Sequence, residues 1–157
     1  LERQRQGERA LVDQQRRQAE RDYQTALMVR FLAAAKEGNC GEITRLMAED
    51  SVDVNVADEH GVTGLGWAAW FNQVAAMDVL LEAGCDLEIA DGDGYTALMA
   101  AAGSKKRSGC AEAVGWLLEK GADWQRMDDF GRTALQQAGK KGAAKEALEA
   151  WAVSHSE

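Results

Sequence analysis

The sequence predicts an all-α solenoid of helix-turn-helix units joined by short β-hairpin-like fingers and preceded by a long N-terminal helix. Three observations predict it. A nine-residue word recurs as Gly61-Val-Thr-Gly-Leu-Gly-Trp-Ala-Ala, Gly94-Tyr-Thr-Ala-Leu-Met-Ala-Ala-Ala and Gly131-Arg-Thr-Ala-Leu-Gln-Gln-Ala-Gly, at spacings of 33 and 37 residues. A second word, Val79-Leu-Leu-Glu-Ala-Gly-Cys-Asp and Trp116-Leu-Leu-Glu-Lys-Gly-Ala-Asp, falls between the copies. The first 26 residues contain no proline and run straight into an apolar segment. Self-similarity at a period of about 20–50 residues is the signature of stacked repeats.

Residues 1–26 read as a charged helical arm. Residues 1–25 carry six Arg and five acidic groups, including the i,i+4 combinations Arg9–Asp13, Asp13–Arg17 and Arg16–Glu20, which support an exposed helix. Apolar residues are sparse and form no heptad seam. One helix over 1–35 has a length of about 50 Å at ~1.5 Å per residue, so it projects beyond the unit it feeds.

The repeat domain, 27–157, divides into units at about 28–57, 58–90, 91–127 and 128–157. Thr63, Thr96 and Thr133 stand where a side-chain oxygen caps the first helix of a unit. The glycine two residues earlier permits the positive φ of a tight turn. Asp58, Asp91 and Asp128 recur three residues before those glycines. Ala68-Ala69 and Ala101-Ala102 keep the inner helix thin, while Val79-Leu80-Leu81 and Trp116-Leu117-Leu118 form the apolar face of the outer helix. Gly84 and Gly121 then terminate that helix in a left-handed conformation. Helices this short are unstable alone, so stacking must supply the stability. In the last unit, Lys145, Glu146 and Glu149 suit a polar outer cap.

These words resemble the ankyrin repeat, G-x-T-A/P-L-x-x-A-A followed by V-x-x-L-L-x-x-G-A-D, over about 28–157. Proline is absent: Gly64, Ala97 and Ala134 occupy its usual place, and Gly66, Met99 and Gln136 replace the usual His. Those departures are expected to cost stability rather than change the fold. The resemblance implies a non-enzymatic module that binds another protein through its finger tips and inner-helix surface.

By position, Trp70, Phe71 and Tyr95 form the leading candidate site, with His60, Phe130 and Arg132 at the tips. An aromatic side chain buries about 150–250 Å², so the three together offer ~450–750 Å², near the ~800 Å² per partner of a standard interface. Trp67 is expected to pack inside the stack. Trp116 and Trp151 are expected to be packing groups, and Trp124 to sit on an exposed hairpin. Lys105-Lys106-Arg107-Ser108, four extra residues in the third unit, reads best as a solvated insertion, and one that an acidic partner segment can use.

The composition excludes other classes. The net charge is −8, and residues 26–157 carry twelve basic against twenty-one acidic groups, a balance that repels nucleic acid. No apolar run reaches the roughly 20 residues of a membrane span, so no membrane insertion is expected. Neither a phosphate-binding loop nor a nucleophile motif occurs, so neither catalysis nor a cofactor is expected. Asp91-Gly-Asp93-Gly resembles a calcium loop only superficially, since its Gly falls at position four and Ala102 at position twelve. Cys40, Cys85 and Cys110 match neither a disulfide framework nor a zinc pattern and are expected to be core fillers. They place the chain in a reducing intracellular compartment, cytoplasmic or organellar after transit-peptide removal, and not secreted. The missing initiator Met suggests a trimmed chain. Besides binding a partner on the concave face, the chain has a second expected role as a permanent subunit of a large assembly held through residues 1–26.

Overall fold

The computed structural model describes residues 1–104, 110–140 and 142–156. Within them lie eight helices in four consecutive pairs: α1 (Glu2–Glu37), α2 (Cys40–Glu49), α3 (Gly64–Trp70), α4 (Val74–Glu82), α5 (Ala97–Gly103), α6 (Ala111–Glu119), α7 (Ala134–Gln137) and α8 (Ala143–Ser154). The inner helices α1, α3, α5 and α7 stack in series, and the outer helices α2, α4, α6 and α8 form a second layer against them. Among the described residues no helix is long and apolar enough to cross a membrane.

The arm and the first inner helix are one element. Residues 1–26 are exposed throughout, and burial begins at Leu27, followed by Phe31, Leu32, Ala34 and Ala35. The three ion pairs expected along the arm do not form; Gln18 donates to Asp22 and Gln24 to Glu20 instead. Exposed pairs of long side chains gain too little to fix one geometry. Below the arm, Arg30 and Arg45 converge on Glu42, and the Tyr23 hydroxyl donates to Asp50 at 3.1 Å. The Arg30–Glu42 and Tyr23–Asp50 contacts hold α1 against α2.

The caps follow the repeated words. Thr63 accepts the Gly66 N–H and Thr96 that of Met99. In the last unit Gln136 Oε1 accepts the Thr133 N–H at 2.8 Å. Gly84 and Gly121 take φ of +85° and +90° after the outer helices. Gly64 has a steric role beyond its missing proline: a Cβ there meets Phe31 Cε1 at 3.0 Å. The exchange at that position makes room for an aromatic ring from the preceding helix.

Core packing is alanine-rich on the inner layer (Ala68, Ala69, Ala101, Ala102) and larger on the outer layer (Ile43, Leu46, Met77, Leu80, Val114, Leu117, Leu148). Side-chain bonds tie successive units together. Trp116 Nε1 donates to Asp78 Oδ1 at 2.6 Å. Asn72, held at φ +57°, accepts the Ala113 N–H and so caps the next unit's outer helix, whose own N-cap Cys110 makes no such bond. Trp151 is half-buried and stacks on His155. Trp124 corrects the expectation of an exposed hairpin, because it is half-buried against the core. Cys85 and Cys110 are buried and Cys40 half-buried, all as free thiols, and burial pushes the Cys85 thiol up to about 11. A thiol so far from its thiolate is unreactive.

Candidate functional site

The fingers are built by a recurring carboxylate. Asp58 Oδ1 accepts the N–H groups of His60 and Val62, Asp91 Oδ1 those of Asp93 and Tyr95, and Asp128 Oδ1 those of Phe130 and Arg132. The sequence displayed this aspartate at fixed spacing, but its side-chain role emerges only from the turn geometry. Each finger closes a tight turn at a positive-φ glycine, and an isolated antiparallel bridge pairs Ala57 with Thr63. Neighbouring fingers are bonded to each other: Gly92 N–H donates to the His60 carbonyl at 2.9 Å, and Asp129 N–H to that of Asp93 at 3.0 Å. The tips therefore form a fixed row rather than independent loops.

Beside this row lies an aromatic surface. Trp70, at the end of α3, is 37% exposed, while its carbonyl accepts from Ser104 Oγ at 2.9 Å and Cys110 Sγ at 3.3 Å. Trp67, Trp70, Tyr95, Asp91 and Ala100 line a depression of about 290 Å³. Trp67 is half-buried rather than enclosed in the stack: its Nε1 donates to Asp58 Oδ2 at 2.9 Å, and the Lys36 ammonium lies 3.7 Å from the ring centroid. Phe71 is half-buried, with its ring 6.2 Å from Trp67 and outside the depression. Since Phe71 and Tyr95 are both half-buried, the ~450–750 Å² expected of the three rings overstates what remains for a partner.

The other predicted residues lie along the tips. His60 is exposed at the second-unit tip, its Nε2 3.6 Å from Glu59. Phe130 is 66% exposed and lies under the Arg132 guanidinium, 4.9 Å from the ring centroid. Arg132 also donates to the Tyr95 hydroxyl at 2.5 Å and pairs with Asp128 at 3.1 Å. It thus links the third finger to the fourth. Trp70 and Tyr95 come together at the depression; His60 and Phe130 mark separate tips. Lys105, Lys106 and Arg107 lie outside the described residues. Trp67 and Asp91 belong to this surface but were not among the predicted contacts.

The second oxygens of the finger aspartates separate the units. Asp58 Oδ2 takes the Trp67 indole, and Asp128 Oδ2 takes Gln137 Nε2 at 2.6 Å together with Arg132. Trp67 and Gln137 each stand nine residues after their aspartate. At the same offset from Asp91 the residue is Ala100, and Asp91 Oδ2 has no partner among the described residues. Burial alone raises the Asp58 and Asp128 carboxyls. The opposing bonds outweigh it: Val62, Trp67 and His60 at Asp58, and Arg132 and Phe130 at Asp128, hold both below the usual carboxylate range. Among the described residues no group of His, Cys, Asp or Glu is arranged to hold a metal ion.

A family model for ankyrin repeats in three copies matches residues 31–128. The chain is 32% identical over 119 residues, 76% of its length, to an ankyrin repeat domain-containing protein, SAT10, of Stachybotrys chartarum, covering 6% of that protein. It is 40% identical over 63 residues to the palmitoyltransferase akr1 of Schizosaccharomyces pombe, covering 40% of this chain and 10% of that one. It is 30% identical over 122 residues to the palmitoyltransferase AKR1 of Lachancea kluyveri, covering 77% and 17% respectively. The chain thus spans less than a fifth of each of these relatives.

Proposed function

Because the chain belongs to the ankyrin-repeat family, we propose that it is a non-enzymatic adaptor that binds a partner protein through the concave face and finger tips. Trp70, Phe71 and Tyr95 anchor the partner, His60, Phe130 and Arg132 contact it along the tips, and the run Lys105, Lys106 and Arg107 meets an acidic partner segment. The observation that carries this reading is the exposed Trp70 ring beside Tyr95, at a depression bordered by a rigid row of fingers. Exposed aromatics on a preformed frame are typical energetic anchors of interfaces, and a frame already ordered loses little entropy on binding. We place this activity in a reducing compartment, in keeping with the buried free thiols of Cys85 and Cys110.

The test compares the proteins retained by immobilised wild-type chain and by the Trp70→Ala, Phe71→Ala double variant. Loss of a specific set supports the concave site, provided that the variant keeps its helical circular dichroism. Identical retention contradicts it.

A second reading is favoured by the arm: residues 1–26 are exposed throughout, Leu11 and Val12 among them. In that reading the chain is a structural subunit of a large assembly, anchored by its N-terminal helix. Gel filtration of native extract separates the two, since a permanent subunit co-elutes with a large complex and an adaptor runs largely free.

A further inference from the structure

We propose that the depression between the second and third units receives the ammonium group of a lysine side chain from the partner, held between the Trp67, Trp70 and Tyr95 rings and the free oxygen of Asp91. This inference rests on the concave-face reading and names the chemistry that the face selects.

The bonding pattern of the finger aspartates is interrupted in the third unit. In the second and fourth units the finger aspartate receives a donor from its own chain nine residues on, Trp67 for Asp58 and Gln137 for Asp128. In the third unit Ala100 is too short to reach, so Asp91 Oδ2 is left without a protein partner among the described residues. Asp91 and Ala100 both line the 290 Å³ depression, so the short side chain borders the same space as the residue that carries the free carboxylate oxygen. A donor from outside restores the bond that the other two units make internally.

The walls of the depression are suited to a positive group. Trp67, Trp70, Tyr95 and Asp91 all line the depression, and a set of aromatic rings with one carboxylate favours a cation, because ring faces attract a positive group and a carboxylate pairs with it. This surface already attracts cations from within the molecule. The Lys36 ammonium lies 3.7 Å from the Trp67 ring centroid, and the Arg132 guanidinium lies 5.8 Å from that of Tyr95. Arg132 is paired with Asp128, so its charge opposes an incoming cation only weakly; Lys36 already takes one face of the Trp67 ring, and its repulsion is what the Asp91 carboxylate has to offset. The net acidity of residues 26–157, twenty-one acidic against twelve basic groups, draws a basic segment toward this face. A lysine fits better than an arginine because its compact ammonium sits on an apolar stem, and that stem is suited to walls made of rings and Ala100.

The experiment titrates the full chain with Nα-acetyl-lysine N-methylamide, and separately with the norleucine amide, which keeps the stem but lacks the ammonium. Indole N–H signals are followed by NMR, with the Trp70 resonance assigned from Trp70→Phe. The lysine amide is expected to shift the Trp70 signal with a Kd on the order of 1–10 mM, as befits so small a ligand; the norleucine amide is expected to leave it in place. Asp91→Asn keeps an oxygen for the Asp93 and Tyr95 N–H groups and is expected to weaken binding by about three- to fivefold. Ala100→Gln supplies the internal donor seen at Gln137 and is expected to abolish the shift without lowering the melting temperature. Equal response to the two amides, or full lysine binding by Ala100→Gln, overturns the proposal. If the lysine amide has no effect while Trp70→Ala still abolishes partner retention, the lysine assignment alone fails. If the lysine amide has no effect and Trp70→Ala also leaves partner retention unchanged, the concave-face reading fails with it.

Discussion

Trp116 Nε1 donates to Asp78 Oδ1 at 2.6 Å and thereby fastens α6 to α4 across two consecutive units. The indole is buried while the aspartate is exposed. Trp116→Phe keeps most of the apolar contact and loses the bond, with an expected cost of about 1 kcal/mol. Trp116→Ala also opens a cavity and is expected to cost about 3–5 kcal/mol. Urea denaturation followed by far-ultraviolet circular dichroism ranks the two. Equal losses would mean that the bond, rather than the packing, dominates this junction.

Two glycines with similar dihedrals are expected to differ in their tolerance of a methyl group. Gly84 has φ of +85° and open space where a Cβ would lie, whereas at Gly94, φ +80°, a Cβ meets Asp129 N at 2.8 Å and Oδ1 at 2.7 Å. Gly84→Ala is expected to cost about 1 kcal/mol for the left-handed backbone. Gly94→Ala bears that cost plus a clash with the next finger, and so loses more. Thermal denaturation of the two variants tests this, and equal melting temperatures would contradict the interlocked row of fingers.

Acid should weaken the stack through its finger aspartates. Asp58 and Asp128 titrate below their ordinary value of 3.8 in the folded chain, as Glu42 does below 4.5, chiefly through its bonds to Arg45 and Arg30. A carboxyl lowered by folding contributes stability that is complete above its unfolded pKa and is lost as pH falls through the folded one. The urea midpoint is therefore expected to be flat with respect to these groups from about pH 7 to about 5 and to fall below about pH 4. Asp58→Asn should lower the plateau and make the acid decline shallower. Urea titrations at successive pH values measure both, and a variant decline as steep as wild type would count against this role for Asp58.

The arm is expected to be dispensable for folding. Residues 1–22 are all exposed, and deleting them retains Tyr23, whose hydroxyl meets Asp50. The deletion is expected to shift the melting temperature by less than about 2 °C, less than about 1 kcal/mol for a chain of this size. Calorimetry of the two forms decides it; a larger fall would show that the arm supports the repeats.

Much of the fold was legible because its signals are local. The Thr63 and Thr96 caps and the positive-φ positions Gly61, Gly94 and Gly131 each depend on a few adjacent residues, so their spacing alone exposes the repeat. The chemistry of the finger aspartates was less legible: Asp58, Asp91 and Asp128 were visible as a recurrence, but the reach from Trp67 or Gln137 back to the aspartate exists only once finger and inner helix are folded against each other. The half-burial of Phe71 and Trp124 depends on packing in the folded chain, which their places in the repeated words do not encode. The arm failed in the opposite direction, since its charge pattern suggested ion pairs that solvent-exposed side chains do not hold.

The concave-face account is tested most directly by hydroxyl-radical footprinting of the chain, free and bound to its partner purified from native extract. Trp70 and Phe130 report on the concave face and tips, while Leu11 and Tyr23 report on the arm, and all four are exposed in the free chain. The account predicts that partner binding protects Trp70 strongly, with Phe130 following, and leaves Leu11 unchanged. Protection confined to Leu11 and Tyr23, with Trp70 oxidised at its free rate, would contradict it.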